Sequence, residues 1–291
     1  TNIVDATLEA VCQYCPSIRI LLCQDCQELE FVNLFSNSLR LVDISCCRRV
    51  QIILLCSERV QEILANHCNE LHQCQFQTPN LTSLSLNGSS LSDASLSSIL
   101  VEAPHLQTLN LSSCVMLSEP LLGQCPQALR SLDISFCVRM WRLSSFSFEM
   151  DAFQGFSFLQ YLNISGLEGH VVEADFDLLF HFVPRLRSLC LESCDVTMVD
   201  PGHYMSLERL DVRDCRLLEV LELECCSRLR VLDIRGCSAL HTIDAPESLQ
   251  VVRGLKIPKK RRAKPYVVPE HNIVSGNVEF FNFVHSGGGY R

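Results

Sequence analysis

A nine-residue string, LxxLxLxxC, recurs along this chain and constrains its fold more than any other feature. Leu106, Leu109, Leu111 and Cys114 carry it in one unit, Leu129, Leu132, Ile134 and Cys137 in the next. Leu229, Leu232, Ile234 and Cys237 repeat it near the other end. Further units start at Ile18, Leu39, Val60, Leu81, Leu159, Leu186 and Leu207, with a degraded one at Leu249. Successive starts are 21, 21, 21, 25, 23, 30, 27, 21, 22 and 20 residues apart. A self-similar period of 20–30 residues is the mark of a stacked-coil architecture. Within each unit the fourth and sixth residues point to one side of a short strand and the residues between them to the other. A single such strand cannot bury its apolar side. Stacking about ten of them gives a continuous core and a parallel sheet.

The fold expected is therefore α/β: a curved leucine-rich-repeat solenoid with a parallel sheet on its concave face and mixed helical and extended segments on its convex face. It spans residues 1–252, and residues 253–291 form a basic tail and possible end cap. The return path differs between units. Leu91, Leu96, Ile99 and Leu100 have helical spacing. The run Leu218, Leu221 and Leu223 repeats the strand pattern and predicts an extended return. The 30-residue step from Leu129 holds Trp141 and Phe146, Phe148, Phe153 and Phe156, which predicts a longer loop folded on the outer face. The chain opens in mid-repeat, since residues 5–11 have the pattern of a unit's helical half. Further repeats or a cap are expected before Thr1, because an uncapped solenoid exposes its core.

Eight Cys occupy the ninth place of a unit: Cys26, Cys47, Cys68, Cys114, Cys137, Cys194, Cys215 and Cys237. The units at Leu81 and Leu159 put Ser89 and Leu167 there instead. A small buried thiol suits the bend after a strand and supplies a weak donor to backbone. A register of free structural thiols points to a reducing compartment, hence an intracellular protein, cytoplasmic or nuclear. Asn-x-Ser/Thr strings at Asn80, Asn87, Asn110 and Asn163 sit in or beside ladder strands and weigh less. Cys12, Cys15, Cys23 and Cys26 have zinc-ligand spacing, yet the repeat already assigns three of them. The pattern thus gives no metal, cofactor or catalytic site, and the reading is of a binding protein, not an enzyme. Phosphate-cradling loops, nucleophile elbows and HExxH strings are absent from the sequence.

Charge divides sharply. Residues 1–252 hold 16 Arg, no Lys and 31 Asp plus Glu, and residues 253–291 hold 8 basic and 2 acidic residues. An acidic body has no general attraction for nucleic acid, and no apolar run is long enough to suggest a membrane span. Lys259, Lys260, Arg261, Arg262 and Lys264 form a compact basic cluster read as a nuclear-localisation signal.

Outward positions of successive strands form columns. The fifth-place column runs Asp43, Ser85, Asn110, Asp133, Asn163, Cys190, Asp211, Asp233. The seventh-place column runs Ser45, Asn87, Ser112, Ser135, Ser165, Glu192, Arg213, Arg235, and the third-place column includes Tyr161 and Arg209. The middle of the face is small and hydroxyl-rich, and its C-terminal end is charged. Tyr161, Glu192, Arg209, Asp211, Arg213, Asp233 and Arg235 are accordingly the residues expected to hold a protein partner, Arg and Tyr being favoured interface anchors. The alternative is that the acids and arginines pair with one another and only solubilise the sheet.

Units ending in Cys, joined by connectors such as Cys15-Pro16 and Cys125-Pro126 and by Ser/Thr-Asp-initiated helices, resemble the cysteine-containing leucine-rich repeats of F-box/leucine-rich-repeat proteins. The likeness is to plant-type members with short, irregular repeats and covers about residues 5–252. It implies a substrate receptor of an SCF-type ubiquitin ligase, holding its target on the repeats. Skp1 and cullin would join only through an F-box, which is not present in this chain. The Lys-free body, which offers no ubiquitin acceptor, fits that role.

Overall fold

The computed structural model describes residues 3–118, 125–139, 156–166, 179, 183–202 and 206–254, and the backbone of 266–267. In chain order its elements are α1 (Asp5–Tyr14), β1 (Ile20–Leu22), β2 (Phe31–Phe35), β3 (Leu41–Asp43), β4 (Ile52–Cys56), β5 (Glu62–Leu64), β6 (Gln73–Gln77), β7 (Ser83–Ser85) and α2 (Asp93–Glu102). There follow β8 (Thr108–Asn110), β9 (Ser131–Asp133), β10 (Tyr161–Asn163), β11 (Ser188–Cys190), β12 (Met198–Val199) and β13 (Arg209–Asp211). The last are β14 (Val220–Glu222), β15 (Val231–Asp233), β16 (Thr242–Asp244), β17 (Val251–Arg253) and β18 (Tyr266–Val267).

Each of the eleven repeat starts is followed two residues later by a strand of one parallel sheet, in the order β1-β3-β5-β7-β8-β9-β10-β11-β13-β15-β17. The register is that of the repeat: Leu109 pairs with Leu132, and Leu132 with Leu162. The degraded unit at Leu249 is a full member, with Val251 to Arg253 pairing Val231 to Asp233. Leu109, Leu111, Leu132 and Ile134 are all at most 2% exposed and share one core that runs the length of the stack. Burying such side chains is worth roughly 1.5–3 kcal/mol each relative to exposure.

The return face is not uniform. Three 21-residue steps after Ile18 return through β2, β4 and β6, which form a parallel three-stranded sheet flanked by α1 and α2. The 25-residue step after Leu81 returns through α2, with the Ser92 hydroxyl accepting from the Ser95 amide as its cap. The short steps after Leu186, Leu207 and Leu229 return through β12, β14 and β16, the extended path expected for Leu218 to Leu223. Tyr266–Val267 adds to this second sheet antiparallel to β16. Unit length thus selects the return. A helix rises 1.5 Å per residue and a strand about 3.3 Å, so a helical crossing needs the extra residues.

Leu167, residues 140–155 with Trp141, and the basic cluster at Lys259, Lys260, Arg261, Arg262 and Lys264 lie outside the described residues. No helix among the described residues is long and apolar enough to cross a membrane.

Candidate functional site: the outer surface of the eleven-stranded sheet

The strand exit is built the same way in six of the eleven coils. The fifth-place side chain turns back and accepts the amide of the seventh residue: Asp43 from Ser45 at 2.9 Å, Asn110 from Ser112 at 2.9 Å, Asp133 from Ser135 at 3.1 Å. Asn163, Asp211 and Asp233 do the same for Ser165, Arg213 and Arg235. This side-chain turn supplies an acceptor where the strand ends. The eighth residue then adopts a left-handed backbone, at Asp25, Cys46, His67, Gly88, Ser113, Phe136, Gly166, Ser193, Asp214 and Gly236. That conformation aims its N–H at the next coil, as in Cys46 to the Asn66 carbonyl at 2.7 Å and Ser113 to the Ser135 carbonyl at 2.7 Å. Gly at Gly88, Gly166 and Gly236 is the trace this requirement leaves in the sequence.

The ninth-place thiols close the gap between coils. Cys47, Cys68, Cys114, Cys137, Cys194, Cys215 and Cys237 each donate Sγ–H to the sixth-place carbonyl of the preceding coil, at 3.0–3.5 Å. Leu111 shows the result, its carbonyl accepting both the Cys114 amide at 3.1 Å and the Cys137 thiol at 3.0 Å. Burial pushes the thiols of Cys47, Cys68, Cys137 and Cys237 up to about 12. Ser89 joins the ladder through its hydroxyl, 3.3 Å from the Cys114 sulfur. Of the zinc-spaced set, Cys23 and Cys26 are core residues, whereas Cys12 is half-buried and Cys15 exposed. Among the described residues no three His, Cys, Asp or Glu side chains converge in a metal-binding group.

With these groups used internally, the outer surface has three zones. At the first coils it is apolar, with Ile20 57% and Leu22 61% exposed. In the middle it is a ladder of hydroxyls and amides around the buried Asp133 carboxylate, including Ser85 Oγ–H donating to Asn66 Oδ1 at 2.6 Å and Asn87 Nδ2–H donating to Ser112 Oγ at 2.6 Å. At the last coils it is charged. There Glu192, Asp211, Arg213, Asp233 and Arg235 come together in one ion-pair network. Arg213 donates Nη2–H to Glu192 at 2.6 Å and Nε–H to both Asp211 oxygens at 3.0 Å. Arg235 grips Asp233 with two bonds, Nε to Oδ1 at 2.9 Å and Nη2 to Oδ2 at 2.8 Å. Burial opposes the Arg213 cation, but Asp211, Glu192 and Asp233 outweigh it and raise its pKa. Burial also raises the Glu192 carboxyl, against the pull of Arg213.

The structure alters the sequence reading of this zone in two places. Asp233, placed by its column on the open surface, is covered: its side chain is 2% exposed. The arginines fold over it, so it orients them and is not itself offered to solvent. Arg253, left outside the repeats by the sequence reading, stands in the same column and reaches Asp233 at 3.6 Å. Counting four places on from Leu249 finds it. Arg209 is exposed in the third-place column, in register with Ser188 and through it with Tyr161. Tyr161 is half-buried, its hydroxyl 4.0 Å from the Cys190 sulfur, and burial raises its pKa. Cys190 replaces the turn-making acid or amide of its column, and the Glu192 amide bonds instead to Ser165 Oγ at 3.0 Å.

The inward Leu/Ile pair, the eleven-stranded parallel ladder and the return segments define the chain as a leucine-rich-repeat solenoid. No protein-family model and no curated protein matches it. Among solved structures it is similar to the functional domain of InlJ from Listeria monocytogenes, described as including a cysteine ladder. That match is at 15% identity over 81% of this chain and 63% of that one, with a TM-score of 0.35. The internalin InlF of L. monocytogenes is 15% identical over 79% of this chain and 74% of its own, at 0.41. TLR13, in a complex with ssRNA13, is 12% identical over 82% of this chain and 58% of its own, at 0.28. The chain therefore spans less than two thirds of the InlJ domain and of the TLR13 chain.

Proposed function

We propose that this chain is a binding scaffold, without chemistry of its own, whose eleven-stranded surface holds a protein target. The target docks over the last coils, on Arg209, Arg213 and Arg235, and reaches back to Tyr161. Following the resemblance to F-box/leucine-rich-repeat proteins of the plant type, the scaffold supplies the substrate-recognition repeats of an SCF-type ubiquitin ligase receptor. Skp1 and cullin would join through an F-box outside this sequence. The setting is intracellular, with the basic cluster Lys259 to Lys264 directing import to the nucleus.

The observation that carries this reading is the change of character along one continuous surface. A sheet that only had to be soluble would need no switch from apolar groups to hydroxyls and amides to paired charge. Clustered, oriented Arg groups on the same face as Tyr161, two strands away, are the residue types favoured as interface anchors. The Lys-free body supports the ligase setting, since a receptor held beside an active ligase gains from having no acceptor there.

The test is affinity capture of the whole protein from its own cells. Skp1 and cullin together with a target are expected. Combined Arg209→Ala, Arg213→Ala and Arg235→Ala should cut target recovery at least tenfold and leave Skp1 recovery unchanged. A target without Skp1 would leave a scaffold of the same repeat class with no ligase linkage. Unchanged target recovery by a folded triple variant would overturn the site.

A further inference from the structure

The last coils sort their charge between two faces. On the eleven-stranded surface, Asp233 is a buried carboxylate (2% exposed side chain) facing three guanidinium groups: Arg235 at 2.8 Å, Arg253 at 3.6 Å and Arg213 at 4.0 Å. Glu192 and Asp211 are both engaged by Arg213. Arg235 spends Nε and Nη2 on Asp233, and half of its side chain remains exposed. On the return face of the same coils stands a row of acids, Glu222 in register with Asp244 and Asp200 directly after β12. On the return face a carboxylate meets this row of acids, whereas on the strand face Glu192, Asp211 and Asp233 are matched by three arginines, of which Arg235 keeps half of its side chain exposed.

We propose that the Arg213, Arg235 and Arg253 fan over Asp233 takes an acidic, extended segment of the protein target. This deepens the proposed function and rests on it: the target now has a stated chemistry and Asp233 a stated task. Asp233 holds the guanidinium groups in position, and Arg235, half exposed, has donors beyond the two it gives to Asp233. All cations on these repeats are Arg, whose fork fixes two carboxylate oxygens at once. Coils stack about 4.8 Å apart and an extended chain advances about 3.4 Å per residue, so two coils span about three residues. Two acids three places apart therefore span the two coil steps from Arg213 to Arg253, with Arg235 on the coil between them. A long polyanion would run on into the surrounding acidic body, 31 Asp plus Glu against 16 Arg in residues 1–252, so a short acidic stretch fits better than nucleic acid.

The test uses the whole purified chain and a fluorescein-labelled peptide of six Glu alternating with Gly, read by anisotropy at 50 mM salt. A Lys-for-Glu peptide and a single-stranded oligonucleotide of equal charge are the comparisons. The Glu peptide is expected to bind and the other two to bind at least tenfold more weakly. Arg235→Gln with Arg253→Gln should weaken the Glu peptide at least tenfold. Asp233→Asn, which removes the buried counter-charge, should strengthen it severalfold. Arg49→Gln, on another coil, should change nothing. Should Asp233→Asn fail to fold, the double Gln variant decides, its thermal melt checking the fold. Unchanged binding by the folded double variant, or tighter binding of the oligonucleotide, overturns the proposal. If the triple Ala variant loses the native target while the Glu peptide fails to bind, the acidic chemistry is wrong and the docking site stands.

Discussion

The two faces of this solenoid obey different rules. The eleven-stranded face is continuous: every coil supplies a three-residue strand in the same register, whatever the length of its repeat. Among the described residues the return face changes from helix to three-stranded sheet, to helix again, and to a second sheet. The difference lies in what each face must satisfy. On the strand side, the inward pair, the left-handed residue at place eight and the thiol at place nine each bond or pack against a neighbouring coil, and the turning side chain at place five shapes the bend that lets them do so. Changing one disturbs a neighbour. On the return side a coil needs only to cross back and bury a few apolar groups, so chain length decides how.

That contrast is broken most directly at a strand-face core position. Leu132→Ala, in a site 1% exposed, should cost about 3 kcal/mol in denaturant unfolding, within the 2–5 range of buried Leu truncations. Phe35→Ser, 62% exposed on the return face, should stay within about 0.5 kcal/mol. Equal losses would mean that the faces are not different in kind.

The left-handed position gives the next largest effect. A Cβ at Gly236 would lie 2.1 Å from Asp214 Oδ1 and 3.0 Å from the Asp214 Cα, whereas at Gly88 the nearest atom is His67 Nδ1 at 3.2 Å. Both positions have positive φ, which costs an L-residue about 1–2 kcal/mol. Gly236→Ala should therefore cost about 2 kcal/mol or more and Gly88→Ala about 1. Identical thermal shifts in the two variants would show that coil-to-coil spacing is not the limiting factor.

The buried thiols add a pH dependence, to which the ladder contributes on the strand side and Cys74 of β6 on the return face. Cys137 is raised from 9.0 to about 12, burial being the main cause. Below pH 9 both folded and unfolded thiols are protonated, so nothing is lost. Above it only the unfolded thiol ionises, and stability falls by about 1.4 kcal/mol per pH unit for each such group until the folded thiol also titrates. Unfolding under reducing conditions between pH 8 and 10.5 should show this slope, and Cys137→Ala should reduce it by about one proton. A slope indifferent to that substitution contradicts buried, protonated thiols.

The smallest effect belongs to exposed ion pairs. Arg49, about half exposed and paired with Glu28 and Glu30, should lose less than about 0.5 kcal/mol as Ala. A larger loss would give single surface pairs more weight here than the repeat itself suggests.

The periodic pattern was enough to mark the eleven repeat starts that each lead into a strand, to separate α2 from the extended return at Leu218 to Leu223, and to identify the ninth-place Cys as buried donors. These follow from apolar periodicity and local spacing, which lie within one unit. The columns of the outer surface were legible for the same reason, since register copies the repeat. What side chains do within a column was not. Asp211 and Asp233 read either as offered acids or as partners of the arginines, because the sequence does not show which group folds over which. In the structure both accept from their own turns, and Asp233 lies beneath arginines from three coils. Arg253 fell outside the pattern because the sixth and ninth places of its unit had degraded, although the strand had not.

Sequence by itself determined where the chain turns inward, because an alternating apolar pair has only one stable place, inside a stack of its copies. Only the tertiary structure decided which polar groups are consumed and which remain available. Hydrogen bonds and ion pairs between coils join residues about twenty positions apart, and the distance between them is set by stacking, not by any feature of one unit alone.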